Sequence, residues 1–201
     1  MGSRRLGRRR LYNLNKFGQD ITNASGSKAG SGMSGVVTSI NRRREGHKVV
    51  TEICLDLGAT GSHCMASTTV LDIIGCGEAA ANSYIYQHEE DEGGYITNVE
   101  MACLEAPTGA ERDIDLSATW AATGTQNVLI DDEATTLVIA NGDWTLGSID
   151  HYAATIGTMH DIGDTYEYFY LVNGSSGEPG TYATGKFVIT VEGVAVPKDG
   201  S

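Results

Sequence analysis

The chemically most suggestive residues of this sequence lie in LDLGATGS (55–62). Aspartic proteases set a hydrophobic strand before Asp-Thr/Ser-Gly, because the hydroxyl beside the aspartate orients it within a shared-proton dyad. Here Leu57 stands in the hydroxyl position. The alternation of the strand also puts Asp56 opposite the apolar side chains, where a solvated surface carboxylate is expected. Cys54, His63, Cys64 and Cys76 contain zinc-ligand types, but structural zinc sites bring two ligands a few residues apart, twice over. His63 and Cys64 are adjacent, so their side chains diverge in a strand, and no C-x-x-C pair exists. Reduced, buried thiols are the expected state of Cys54, Cys64, Cys76 and Cys103, with one oxidised pair as the alternative. His151, His160, Asp161 and Asp164 form a loose group without an H-E-x-x-H arrangement. The acidic runs EEDE (89–92) and DDE (131–133) lack the ligand spacing of a calcium loop and read as solvated faces. With no nucleophile elbow and no phosphate-binding glycine loop, the expectation is a chain without catalytic residues, cofactor or metal.

Charge carries the clearest functional signal. The opening MGSRRLGRRR holds five arginines in a chain whose net charge is −12. Residues 1–48 contain eleven Lys and Arg against Asp20 and Glu45, a balance of +9. Residues 49–201 contain three against twenty-four acids, a balance of −21. Such asymmetry points to a basic tail that contacts something acidic. Arginine forms bidentate contacts with carboxylates, so docking on an acidic protein surface is the favoured role of the tail. Nucleic acid is the lesser alternative, because the acids behind the tail repel a polyanion and no basic stripe with aromatics accompanies them. A solvated tail without a partner is the plainest reading.

These residues need elements to position them. The 26 glycines against three prolines, spread through a chain without helical repeats, favour short strands joined by turns. NASGSKAGSGMSG (23–35) has linker composition. VVTSI (36–40) reads as a short strand and NRRREGHK (41–48) as a second basic cluster. VVTEICLDL then places Val49, Thr51, Ile53, Leu55 and Leu57 on one face, a half-buried strand. Similar segments follow at 67–74, 82–87, 95–105, 112–118, 127–130, 135–140, 165–172 and 186–196, separated by GCGE, DEGG, PTGAE, NGD and NGSSGEPG. The stretch 147–163 is the one candidate for a short helix. Tyr166, Tyr168 and Tyr170 share one sheet face and are expected in core or subunit contacts rather than on a glycan-reading surface. The expected architecture is all-β, an antiparallel β-sandwich (jelly-roll-like or a related barrel) with an extended basic N-terminal arm. Residues 1–48 form the arm and linker, and residues 49–201 the acidic sandwich domain. No run reaches the roughly 20 apolar residues that span a bilayer. No apolar segment follows the basic start either, so membrane contact and Sec-type secretion are not expected.

Two stretches, MGSRRLGRRRLYNLNKFGQ and EYFYLVNGSSGEPGTYATGKFVITVEG, resemble small virion structural proteins of marine tailed bacteriophages, and VVTEICLDLGATGS and ANSYIYQ fit the same pattern. The resemblance implies a non-enzymatic structural protein of the phage head, assembled in the host cytoplasm, that decorates or cements the capsid shell. The major shell subunit of such phages has a long helix that this chain lacks in its pattern. The implied partners are the major capsid protein or another virion protein, together with further copies of the chain, a trimer being favoured at a three-fold lattice position. A tail, fibre or head-appendage protein that binds a receptor or glycan is the alternative. An internal nucleic-acid-associated virion protein is the second alternative. An arm of 48 residues at ~3.3 Å per residue spans beyond 100 Å. Its candidate docking residues are Arg4, Arg5, Leu6, Arg8, Arg9, Arg10, Leu11, Tyr12, Leu14, Phe17, Arg42, Arg43 and Arg44, combining charge pairing with apolar burial.

Overall fold

The structure is a computed structural model that describes residues 22–23, 29–33, 35–59, 64–77, 81–130, 136–140, 142–153, 166–177 and 179–194. In chain order the elements begin with β1 (Thr22–Asn23), β2 (Val37–Glu45), β3 (Lys48–Asp56), β4 (Cys64–Ala66), β5 (Gly75–Cys76) and β6 (Tyr86–Glu89). A single helical turn, α1 (Glu90–Gly93), leads into β7 (Tyr95–Thr108), β8 (Ile114–Thr119), β9 (Thr136–Ile139) and β10 (Ile149–Ala153). The last strands are β11 (Tyr166–Asn173), β12 (Gly180–Thr181) and β13 (Thr184–Val194). The protein is thus all-β, and every strand pairing among the described residues is antiparallel.

A six-stranded sheet, ordered β1-β2-β3-β13-β7-β10, faces a four-stranded sheet, ordered β6-β11-β8-β9, in a sandwich. The alternation of the sequence decides which residues meet between them. Ile53 and Leu55 of β3, Met101 and Cys103 of β7, and Phe187 and Ile189 of β13 line the inside of the large sheet. Ile114 and Leu116 of β8 with Phe169 and Leu171 of β11 line the inside of the small one. Period-two alternation buries one face of each strand and leaves the other for polar residues. Trp144 ties the two layers together. Its indole N–H donates to the Ile114 carbonyl at 2.7 Å, and its ring meets Phe187 edge to face at a centroid distance of 5.5 Å.

The outer face of the small sheet carries a second apolar cluster of Ile73, Ile130, Tyr170 and Val172, with Tyr84 and Tyr168 packed beside it. The segment 121–130 closes over it. The Tyr170 hydroxyl donates to the Ala121 carbonyl at 2.7 Å and accepts from the Gly124 N–H at 3.2 Å. Gly124 is required for closeness rather than conformation: a Cβ there would lie 2.4 Å from the Tyr170 ring. Tyr168 and Tyr170 are therefore packed, as the alternation indicates, and the Tyr170 hydroxyl is held above its ordinary pKa by burial.

Four expectations change. The arm boundary placed at residue 48 falls inside a hairpin, because Val37–Glu45 forms β2 and pairs along β3, with Val37 and Ile40 in the core. The stretch read as a helix at 147–163 contains β10, paired to β7 from Ile149↔Ala102 to Ala153↔Asn98. Residues 67–74 and 127–130 make isolated bridges, Asp72 with Leu129 and Ile73 with Val172, instead of strands. There the Ser67 hydroxyl accepts from the Thr69 N–H and donates to Asp72, a local turn that competes with the ladder. Finally, Cys64 and Cys76 are joined in a disulfide, being direct cross-strand partners in a small sheet ordered β12-β4-β5. Cys54 and Cys103 are free thiols on opposite faces of the large sheet, Cys103 buried and held above the ordinary thiol range by desolvation.

Candidate docking site

Arg42, Arg43 and Arg44 are successive residues of β2, so their side chains alternate across the sheet instead of forming one basic patch. Arg42 turns inward, opposite Thr51, at one end of the sandwich. Its Nη2 donates to the Tyr86 hydroxyl of β6 at 2.7 Å, and its Nη1 pairs with the Glu92 carboxylate of α1. Burial works against the guanidinium charge, but Tyr86 and Glu92 outweigh it and raise the pKa. Arg43 turns outward, with Nε 2.9 Å from Glu45 and Nη1 2.6 Å from Glu52. Arg44 is exposed at the hairpin end, and its Nε donates to the Gly46 carbonyl at 3.0 Å. Two of the three are thus paired with carboxylates of the fold and the third with a backbone carbonyl. Arg4, Arg5, Leu6, Arg8, Arg9, Arg10, Leu11, Tyr12, Leu14 and Phe17 lie outside the described residues.

Behind Arg42 the end of the sandwich holds further ionisable groups that no sequence spacing announces. His88 of β6 and Glu167 of β11 are direct cross-strand partners and are both buried. The His88 Nε2–H donates to the Gly94 carbonyl at 2.9 Å, which fixes its tautomer, and its ring stands edge to face with Tyr86 at 6.1 Å. Gly93 is needed beneath that ring, since a Cβ would come within 2.3 Å of the imidazole. Burial alone pushes the Glu167 carboxyl up to about 7. The pair sits between the sheets as part of the packing.

The outer face of the large sheet has a different composition. Register places Cys54, Val188, Ala102 and Ile149 in one row across β3, β13, β7 and β10. On one side of the row stand Glu52, Thr190, Glu100 and His151, with Glu192 a further step along β13. On the other side Lys186 bridges Glu105 at 2.8 Å and Asp56 at 3.7 Å. Asp56 is therefore a surface carboxylate with a cationic partner, as its place in the alternation indicates.

β1 joins this sheet at its edge, with Thr22 opposite Arg42 and Asn23 opposite Asn41. With β2 counted in the domain, residues 1–21 hold six Lys and Arg against Asp20, a balance of +5, and residues 22–201 carry −17. Of the β11 tyrosines weighed against a glycan surface, Tyr170 is buried and Tyr168 half-buried, while elsewhere Tyr86 is buried, Tyr84 half-buried and Tyr95 exposed. Of the zinc-type residues, Cys64 and Cys76 do meet, but as a disulfide, while His63, His160, Asp161 and Asp164 lie outside the described residues. No helix among the described residues is long and apolar enough to cross a membrane. Comparison with known protein families, with characterised proteins and with solved structures finds no match.

Proposed function

We propose that this chain is a non-enzymatic structural protein of a phage virion that decorates or cements the head shell. In this reading its basic N-terminal residues dock on neighbouring capsid subunits. The observation that carries the reading is the opposition of charge within one chain: a +5 segment attached through β1 to the edge of a −17 sandwich. A shell-binding protein needs a compact, highly charged body that stays in solution until it meets the shell and a segment that reaches an acidic neighbour. Leu6, Leu11, Leu14 and Phe17 give that segment apolar anchors between its arginines, which offset the entropy lost on ordering it. The resemblance to small virion proteins of marine tailed phages supports the same reading.

The test is a reconstruction of the source virion together with a binding assay on its empty shells. The chain is expected in many copies at regular lattice positions, and its purified form is expected to bind shells stoichiometrically. Replacing Arg4, Arg5, Arg8, Arg9 and Arg10 by Glu is expected to abolish binding. A copy number confined to the tail vertex, or full binding by the charge-reversed chain, overturns the proposal.

A further inference from the structure

We propose that the Cys64–Cys76 disulfide is a reversible latch. Closed, it holds the segment Ala29–Gly32 as a strap on the sandwich; opened by a small thiol, it releases the strap while both sheets stay folded. The inference stands on topology and goes beyond the virion reading without needing it.

The strap has the composition of a linker, yet it is pinned. The Gly30 N–H donates to the Tyr84 carbonyl at 2.9 Å and the Gly32 N–H to the Asn82 carbonyl at 3.3 Å, while the Gly32 carbonyl accepts from the Cys76 N–H at 2.9 Å. Gly30 approaches its neighbour so closely that a Cβ would fall 1.7 Å from the Asn82 carbonyl oxygen. Met33 follows, fully buried, with its sulfur 3.6 Å from that of Cys76. Glycine-rich backbone loses much conformational freedom when it is fixed. Three hydrogen bonds therefore leave the strap marginal unless the surface beneath it is itself held.

That surface consists of very short strands. β4 has 3 residues, and β5 and β12 have 2 each. β4 meets β5 at Cys64↔Cys76 and Met65↔Gly75, and it meets β12 at Gly180↔Ala66 and Thr181↔Met65. Ladders this short are marginal in water, and the disulfide is the covalent tie between them. From Cys64 the connection continues inward. The Tyr182 N–H donates to the Cys64 carbonyl at 2.8 Å, and β12 runs into β13 at the centre of the large sheet. The latch thereby links the strap to the most enclosed strand of the fold. The ladders of the six-stranded and four-stranded sheets include no residue of β4, β5 or the strap, so opening the latch leaves them paired.

Cys64 is fully buried and Cys76 half-buried, so an incoming thiolate meets the Cys76 sulfur first. Its attack forms a mixed disulfide on Cys76 and expels Cys64 as a thiolate, which takes up a proton. A second small thiolate attacks the outer sulfur of the mixed disulfide, and Cys76 leaves and is protonated in turn. Two small thiols are thus oxidised to one small disulfide for each protein disulfide reduced, and a small disulfide reverses both steps. The redox state of the surroundings then sets whether the chain ahead of β2 is fastened at the strap as well as at β1.

Hydrogen exchange of the full-length protein, read by mass spectrometry before and after treatment with reduced glutathione, tests the latch well below the melting temperature. The amides of residues 30–33 are expected to exchange about tenfold faster once the disulfide is open, while those of β3 and β13 stay unchanged. Oxidised glutathione is expected to restore the slow exchange. The double variant Cys64→Ser, Cys76→Ser should show the fast exchange at residues 30–33 with or without thiol, and Cys54→Ser should respond to thiol as the unmodified chain does. Unchanged exchange at residues 30–33 in the reduced chain overturns the inference, as does a disulfide that glutathione leaves intact in the folded protein. Loss of protection from β3 and β13 along with residues 30–33 also overturns it, making the disulfide a staple of the whole fold instead of a latch.

Discussion

Arg42 and Tyr86 are hydrogen-bonded across the interior of the sandwich, the guanidinium coming from the six-stranded sheet and the phenol from the four-stranded one. A charged group at the end of an apolar core stays only where its partners outweigh its desolvation, and here Glu92 supplies the counter-charge. The pair therefore clamps the two layers at the end where β1 joins the sheet. Tyr86→Phe is expected to cost about 1.5–3 kcal/mol, the range for a bond to a charged donor. Arg42→Ala is expected to cost a similar ~1.5–3 kcal/mol, because it removes the charged donor of the Tyr86 hydroxyl, while the half-exposed Glu92 stays solvated. Urea denaturation of both single variants and the double variant checks this, and strictly additive losses would show that the two groups are not coupled.

Glu167 gives stability a pH dependence. Below the ordinary carboxylate value of 4.5 both the folded and the unfolded chain hold the proton, and the neutral group fits its buried site at full stability. Between there and about 7 the folded chain retains a proton that the unfolded chain has lost, so stability falls as pH rises through that window. Glu167→Gln removes the penalty. At about pH 8 it is expected to raise stability by ~3 kcal/mol, since each tenfold difference in proton affinity between the folded and unfolded chain is equivalent to ~1.4 kcal/mol. At about pH 4 the gain should be close to nothing. Thermal melts at the two pH values test the difference, and an equal effect at both would assign the stability change to packing instead.

The Cys64–Cys76 disulfide closes a short loop, its cysteines 12 residues apart in sequence. Such a loop stabilises by ~3 kcal/mol, chiefly through the unfolded chain. Replacing both cysteines by serine is expected to lower the melting temperature by several degrees, and dithiothreitol should do the same to the unmodified chain. Non-reducing peptide mapping should recover Cys64 and Cys76 in one linked pair and leave Cys54 and Cys103 as free thiols. Four free thiols in the folded protein would refute the pairing.

Trp144 is fully buried and Trp120 is 53% exposed, so the two indoles of the chain report different events. Trp120→Phe is expected to leave a blue-shifted emission that acrylamide barely quenches. Trp144→Phe is expected to remove that component and to destabilise the fold by ~1–3 kcal/mol through the Ile114 carbonyl left without its donor. A red-shifted, quenchable spectrum for the Trp120→Phe variant would place Trp144 outside the core.

The strands that form the centre of the sandwich are the ones whose sequence alternates without interruption. In β3 the residues expected on one face, Val49, Thr51, Ile53 and Leu55, are fully or almost fully buried, and Met101 of β7 and Ile189 of β13 meet them in the core. What escaped the sequence depends on contacts distant along the chain. The run Arg42–Arg44 reads as a tail because three like charges in a row mask a strand, whose side chains find Glu92 and Glu52 from other elements. The cross-strand meeting of His88 with Glu167 is a matter of register between segments nearly eighty positions apart. β4 and β5 are too short for periodicity to show, and their pairing rests on the disulfide between them. β10 was hidden because its alternation runs for only five residues amid glycines and alanines.

β13 is the last described strand in the chain, yet it lies in the middle of the large sheet, between β3 and β7. During synthesis the β2–β3 hairpin and the β7–β10 pair leave the ribosome as separate fragments, each with one edge open. They cannot join until residues 184–194 have emerged to be threaded between them. Loop closure over such separations is slow, so the chain waits as two incomplete half-sheets.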